Sequence, residues 1–214
     1  FKDIKLSLQC FEVYNDDVFD LFAPKNKRNK LKLKEGEDKR TIIEDITTLK
    51  LENISSVKSA LKRCLSARSI KDTLLNHSSS RSHCIFRTTL QFCFENDSEE
   101  LVIERSLNIV DLAGAERAKR TDNTGVRLKE ANKINQSLSC LGRCLAALRD
   151  GTLPPYRETK LTKFLAEFFL EQSRISMVTN ISLEDQELEE TIRVLNYSAL
   201  ARQVPPLVVR YETR

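Results

Sequence analysis

Residues 126–148 set Leu128, Ala131, Ile134, Leu138, Leu141, Leu145 and Leu148 at spacings of three and four. That is one continuous apolar stripe, the pattern of a long helix that must bury one face against something else. Pro154-Pro155 is expected to stop this helix, and a shorter one is predicted from Glu158 to about Phe169. Residues 4–14 alternate and read as a strand, closed by a turn at Asn15-Asp16-Asp17. Short strands are expected around 31–33 and 41–43, then a helix over about 55–68 with Ser55 or Ser56 as its N-cap. Residues 83–94 and 100–111 read as a hairpin joined by Glu95-Asn96-Asp97-Ser98. The uncharged apolar run 175–181 is predicted as a buried strand, followed by a last helix over 184–202 and an extended tail. Strands alternating with helices imply an α/β domain with helices on both faces of a sheet, without internal repeat or second domain.

Composition narrows the classes. Apolar residues make up 40% of the 214 and charged residues 31%, the balance of a globular domain with material for a sizeable core. Five Gly and five Pro argue against a low-complexity chain. No apolar run is long enough for a membrane span. The start, FKDIKLSLQCFEVYN, lacks the regions of a secretory signal and already reads as a strand, so a chain cut from something longer is expected. The formal charge of +4 alone points to no partner. The six cysteines (Cys10, Cys64, Cys84, Cys93, Cys140 and Cys144) form no C-x-x-C pair and read as buried free thiols.

Two segments carry chemistry. In SLNIVDLAGAE, 106–116, an apolar strand ends in Asp111 and Gly114 follows three residues later. A strand end can hold a carboxylate toward a hydrated Mg²⁺, and a glycine lets a backbone N–H approach a γ-phosphate. A strand ending in Asp before a Gly turn is also common without either role. In NHSSSRSH, 76–83, hydroxyls, an Arg and two His crowd a loop just before a strand. Hydroxyls can ligate Mg²⁺ and Arg can fork onto a carboxylate, but a solvated Ser-rich loop reads the same way. His77 and His83 have no carboxylate partner set by spacing.

Taken together and in order, the two segments resemble the kinesin switch loops N-x-x-S-S-R-S-H and D-L-A-G-S-E. KEANKINQSLSCLG, 129–142, resembles the helix after the second switch, and PYRETKLTKFL, 155–165, the kinesin P-Y-R-x-S-K-L-T segment. TIRVLNYSALARQV, 191–204, resembles the final helix entering the neck linker, and QCFEVYNDDVFDLF an early strand and helix. LGRCLAALRD and NYSALARQVPP are similar to the mitotic, cytokinesis-associated branch, as is FFLEQSR, which lacks the usual Gly-Gly.

The resemblance implies a P-loop NTPase-type kinesin fold: a central mixed sheet flanked by helices, with residues 1–203 a partial motor domain and 204–214 a neck-linker-like tail. It implies ATP and Mg²⁺ as cofactors and microtubules as partner, on the cytoplasmic cytoskeleton with spindle or midzone as possible sites. It implies no nucleic acid, and dimerisation only through regions outside these residues. Ser79 and Ser80 match the switch hydroxyls, with Ser80 on Mg²⁺ and Asp111 holding it through water. Arg81 and Glu116 match the pair that latches the switches, and Gly114 the γ-phosphate sensor. Asn132 and Asn135 lie on the helix that would carry the change to the filament. Ala115 replaces the usual Ser. The tubulin-facing set is Lys119, Arg120, Lys133, Tyr156, Arg157, Lys160 and Lys163. Arg127, Lys129 and the stretch around Lys25, Lys27, Arg28 and Lys30 stand near it.

No G-x-x-x-x-G-K-[S/T] phosphate loop occurs in the sequence. In the family the strand feeding that loop lies between the one ending at Asp111 and the run 175–181, so a gap in the sheet is expected there, with weak ATP binding by these residues alone. A catalytically dead microtubule-binding module is the main alternative. Myosins share part of the switch pattern but not S-H or P-Y-R-x-x-K-L-T, and small GTPases would need N-K-x-D, which is absent.

Overall fold

The computed structural model describes residues 3–24, 29–36, 40–75, 81–96, 99–114, 126–170, 173–184 and 187–205. They fall into two compact units. One is made of 1–32 with 43–113, the other of 33–42 with 114–214.

The first unit is built on the strand β1 (Asp3–Tyr14), which pairs on both sides. Asn15 and Asp16 both adopt positive φ, 53° and 63°, and turn the chain tightly into β2 (Asp17–Asp20). Asn and Asp tolerate that left-handed conformation better than other side chains, which is why the turn falls here. β3 (Lys30–Leu31) extends the sheet beyond β2. On the other side lie β7 (His83–Asn96) and β8 (Glu99–Asp111), the predicted hairpin, giving the order β3-β2-β1-β7-β8. A short β6 (Leu49–Lys50) also joins β1, and these pairings are all antiparallel.

One face of this sheet is covered by α1 (Ile54–Leu75). Ala60, Cys64 and Ala67 pack on Leu8, Cys10 and Cys84, with Leu21 and Phe22 completing the buried cluster. The helix runs seven residues past its expected end at 68, and its cap is not the expected serine. Asn53 Oδ1 accepts the Ser56 N–H at 2.9 Å, and Ser56 Oγ accepts the Asn53 N–H at 3.2 Å. Asn53 is the N-cap and Ser56 its reciprocal partner three residues on. The buried Asp20 carboxylate accepts the N–H groups of Phe22 and Thr47, at 2.7 and 2.8 Å, which fastens two loops to the sheet.

The second unit contains β4 (Leu33–Glu35) paired with β5 (Thr41–Ile43), and the helices α2 (Val126–Arg149), α3 (Lys160–Leu170) and α4 (Leu188–Arg202). The α2 stripe is buried at Ile134, Leu141 and Leu145, together with Cys140 and Cys144. Gly151, not the prolines, ends α2: it takes φ +66°, and the Thr152 N–H reaches back to the Ala147 carbonyl at 2.8 Å. A 3₁₀ turn (Tyr156–Glu158) follows, and Thr159 is extended before α3 starts, its hydroxyl accepting the Thr162 N–H at 3.2 Å. α4 approaches α2 closely at Gly142, where an added Cβ would lie 3.3 Å from the Tyr197 ring, and the Tyr197 hydroxyl donates to the Leu138 carbonyl at 3.5 Å.

The expectation for 175–181 is corrected. The segment is extended but pairs with no strand among the described residues, and Ile175, Met177, Val178 and Ile181 are exposed, Val178 by 84%. A strand exists only through its neighbours' hydrogen bonds, and apolar composition cannot supply the partner. β8 likewise pairs only with β7 among the described residues, and Leu107 and Ile109 are exposed on it.

Candidate functional site

The β7–β8 register sets Cys84 opposite Asp111. The start of β7 and the end of β8 therefore share one end of the hairpin, and with them the segments ending at His83 and beginning at Asp111. His83 opposes Val13 on β1 and is buried. Its Nδ1 accepts the backbone N–H of Ala113 at 3.0 Å. Burial lowers the His83 pKa to about 4, against the smaller opposing pull of the Asp111 carboxylate. The ring is thus neutral near pH 7, with a lone pair available to the Ala113 N–H.

Asp111 lies on the sheet face that α1 covers, because its register partner Cys84 opposes Glu12 there. From α1, Arg68 Nη1 donates to Asp111 Oδ2 at 2.7 Å. The Arg68 side chain is mostly buried while that of Asp111 is 60% exposed. Arg68 is the residue that sequence reasoning missed. Nothing in SARSIKDT marks it, since its role depends on which way α1 faces. Burial also pushes the Cys84 thiol up to about 11, so it keeps its proton.

The remaining switch residues divide. Arg81 and Gly114 are half-buried. Ser79, Ser80, Glu116 and His77 lie outside the described residues, as do Ala115, Lys119, Arg120, Lys25, Lys27, Arg28 and the tail from 206. The second Asp111 oxygen has no partner among the described residues and stands at an exposed strand end. A hydrated Mg²⁺ fits that donor, which prefers hard cations. For the nucleotide phosphates the sequence offers no glycine-rich lysine loop.

The basic set is also sorted by the structure. Tyr156 is buried, stacked on Phe169 with ring centroids 6.2 Å apart, and burial pushes its hydroxyl up to about 12. Its expected place in a tubulin-facing set is corrected: the ring is core, because the 3₁₀ turn points it inward beside Cys140 and Cys144. Lys163 is half-buried and donates from Nζ to the Leu33 carbonyl at 3.1 Å. Lys160 is half-buried, whereas Lys133 and Arg157 are exposed. Arg157 lies 3.6 Å from Glu35, and Arg143 is paired with Glu158.

The fold is of the P-loop NTPase type seen in kinesin motor structures. The kinesin motor domain family model matches residues 2–204, and the chain belongs to that family. It is similar to kinesin-like protein KIF20B of Mus musculus, 36% identical over 91% of this chain and 11% of that protein. It is also similar to chromosome-associated kinesin KIF4 of Xenopus laevis, 34% identical over 94% of this chain and 17% of that protein. The chain thus spans a small fraction of the length of the relatives it matches. Among solved structures, a fast kinesin superposes with a TM-score of 0.81 at 32% identity, over 94% of this chain and 56% of that one.

Proposed function

We propose that these residues are the switch-bearing part of an ATP-driven microtubule motor of the cytokinesis-associated branch, with 1–203 as motor domain and 204–214 as neck-like tail. The observation that carries this is the Cys84–Asp111 register, which joins the ends of both switch-like segments in a chain of the kinesin family. In this reading Ser79, Ser80 and Arg81 meet the nucleotide from one side and Asp111, Gly114 and Glu116 from the other. Ser80 and Asp111 serve Mg²⁺, Asp111 through water. When bound, Mg²⁺ offsets charge developing on the phosphates. Arg81 and Glu116 form the latch between the switches, and Gly114 reports the γ-phosphate through its N–H.

The microtubule face in this reading is Lys119, Arg120, Lys133, Arg157 and Lys160, with Lys163 shaping the loop it borders. Tubulin is acidic, so such binding weakens as salt screens the charges. The test is co-sedimentation with microtubules at rising ionic strength. Binding that falls with salt, and falls further in Lys133→Ala and Arg157→Ala, supports the reading; no binding at low salt sinks it.

A second reading, a microtubule-binding module without ATP turnover, is favoured by one observation: the switch carboxylate Asp111 is engaged by Arg68. Nucleotide titration of the longer protein separates the two, since these residues alone are expected to bind ATP weakly. Microtubule binding without nucleotide dependence there supports the second reading, and micromolar ATP affinity supports the first.

A further inference from the structure

Three cysteines that are far apart in sequence meet in the core of the first unit. Cys10 comes from β1, Cys64 from α1 and Cys84 from β7, and each is fully buried. Their sulfurs all lie within 4.8 Å of one another. The Cys10 and Cys64 sulfurs, 54 residues apart in sequence, lie in direct contact, and Cys84 is a free thiol beside them. Cys93, Cys140 and Cys144 are also buried and free, so burial alone does not select the pair; its position across β1 and α1 does. Cys64 stands four residues before Arg68 on the helix, and Arg68 holds Asp111. At that spacing the two side chains share one face of α1.

We propose that Cys10 and Cys64 are a reversible redox site whose oxidised form fixes α1 on β1 and thereby keeps Arg68 on Asp111. The oxidant class is a peroxide. Oxygen transfer to the Cys64 sulfur gives a sulfenic acid and releases the reduced peroxide, as water from hydrogen peroxide. The Cys10 sulfur then attacks that sulfur; the S–S bond forms, the S–O bond breaks, and the departing hydroxide leaves as water with the Cys10 proton. A dithiol reductant returns two electrons and two protons and is itself oxidised to a disulfide. The site does not depend on nucleotide binding.

Metal capture by the three sulfurs is the competing chemistry, and the surroundings oppose it. Three thiolates would add negative charge beside Glu12, which is buried opposite Cys84, with Arg68 as the nearby cation. A disulfide is neutral and suits an apolar cluster of Leu8, Leu21, Ala60 and Ala67.

The experiment uses the full chain. Samples treated with hydrogen peroxide or with dithiothreitol are unfolded in an alkylating reagent, digested and mapped by mass spectrometry, and hydrogen exchange is followed on parallel samples. Expected is a Cys10–Cys64 linked peptide after peroxide, lost on reduction and regained on reoxidation, with Cys84, Cys93, Cys140 and Cys144 alkylated throughout. Amides of α1 should exchange about tenfold or more faster after reduction, together with those at Asp111–Ala113. Cys64→Ser should remove the peroxide response; if it fails to fold, Cys10→Ala or reduction of the unmodified chain provides the same comparison. The proposal is overturned if Cys10 and Cys64 remain alkylatable after peroxide, if the link forms to Cys84, if added Zn²⁺ or Cu⁺ is retained by all three sulfurs of the reduced chain, or if linkage leaves α1 exchange unchanged.

Discussion

The imidazole of His83 accepts the Ala113 backbone N–H at 3.0 Å and does so as a neutral ring, because burial has lowered its pKa to about 4. The bond ties the first residue of β7 to the turn that follows β8, so one side chain sets the backbone between Asp111 and Gly114.

This predicts a pH dependence with a definite sign. The unfolded chain takes up a proton at His83 near the ordinary imidazole value of 6.5, the folded chain only at about 4. Stability from this group is complete above pH 6.5 and is lost as pH falls toward 4, by about 3 kcal/mol in all, with no further loss below. Denaturant titrations of the parent chain and His83→Asn across pH 4–7 check it. The amide oxygen keeps an acceptor but does not titrate, so the difference between the two curves should slope over that window and be flat above it. A flat difference throughout would mean the ring is not held neutral.

Releasing Asp111 from Arg68 should change ion binding more than stability. The carboxylate is largely exposed, so the pair contributes at most about 1 kcal/mol to folding. Arg68→Met keeps the buried stem and frees both carboxylate oxygens. Mn²⁺ affinity, read by electron paramagnetic resonance, should rise about threefold or more by simple removal of the competing cation. An unchanged affinity would show that Asp111 offers no divalent site.

The buried Tyr156 hydroxyl has no hydrogen-bond partner among the described residues. Tyr156→Phe should therefore be neutral or stabilise by up to about 1 kcal/mol, whereas Tyr156→Ala removes the ring stacked on Phe169 and costs about 3–5 kcal/mol. Thermal unfolding of the two variants decides; a marked loss in Tyr156→Phe would reveal a bond the hydroxyl makes.

Glu167, buried on α3, accepts the Thr41 N–H at 2.5 Å and so fastens β5 to the helix. Glu167→Ala leaves that donor unsatisfied and should cost about 2 kcal/mol. Glu167→Gln, which keeps an acceptor, should recover most of it. Equal losses in the two variants would mean the charge, not the hydrogen bond, matters.

Leu107 and Ile109 stand exposed on β8, which pairs only with β7 among the described residues. An open apolar edge invites pairing between chains. Light scattering should show concentration-dependent association of this chain, reduced in the Leu107→Lys/Ile109→Lys double variant. A monomer at high concentration without those changes would refute this.

The local elements were legible because their causes are local. The three-and-four spacing of Ile134, Leu138, Leu141 and Leu145 sets a helix wherever α2 packs, and Asn15-Asp16 favours a positive-φ turn in any context. The order of NHSSSRSH and DLAGAE, with a hairpin of suitable length between them, was enough to identify the family. Tertiary structure alone decided the rest. Residues 175–181 look like a buried strand by composition, but pairing depends on neighbours and they remain exposed. Tyr156 sits in a basic motif yet faces the core, because the turn before α3 points it there. Arg68 reaches Asp111, and Cys10 reaches Cys64 and Cys84, only because α1 lies across one face of β1 and β7. Periodicity says that a face is buried, not against which residues. Contacts between distant positions depend on how elements pack, and that packing decided the surroundings of Asp111.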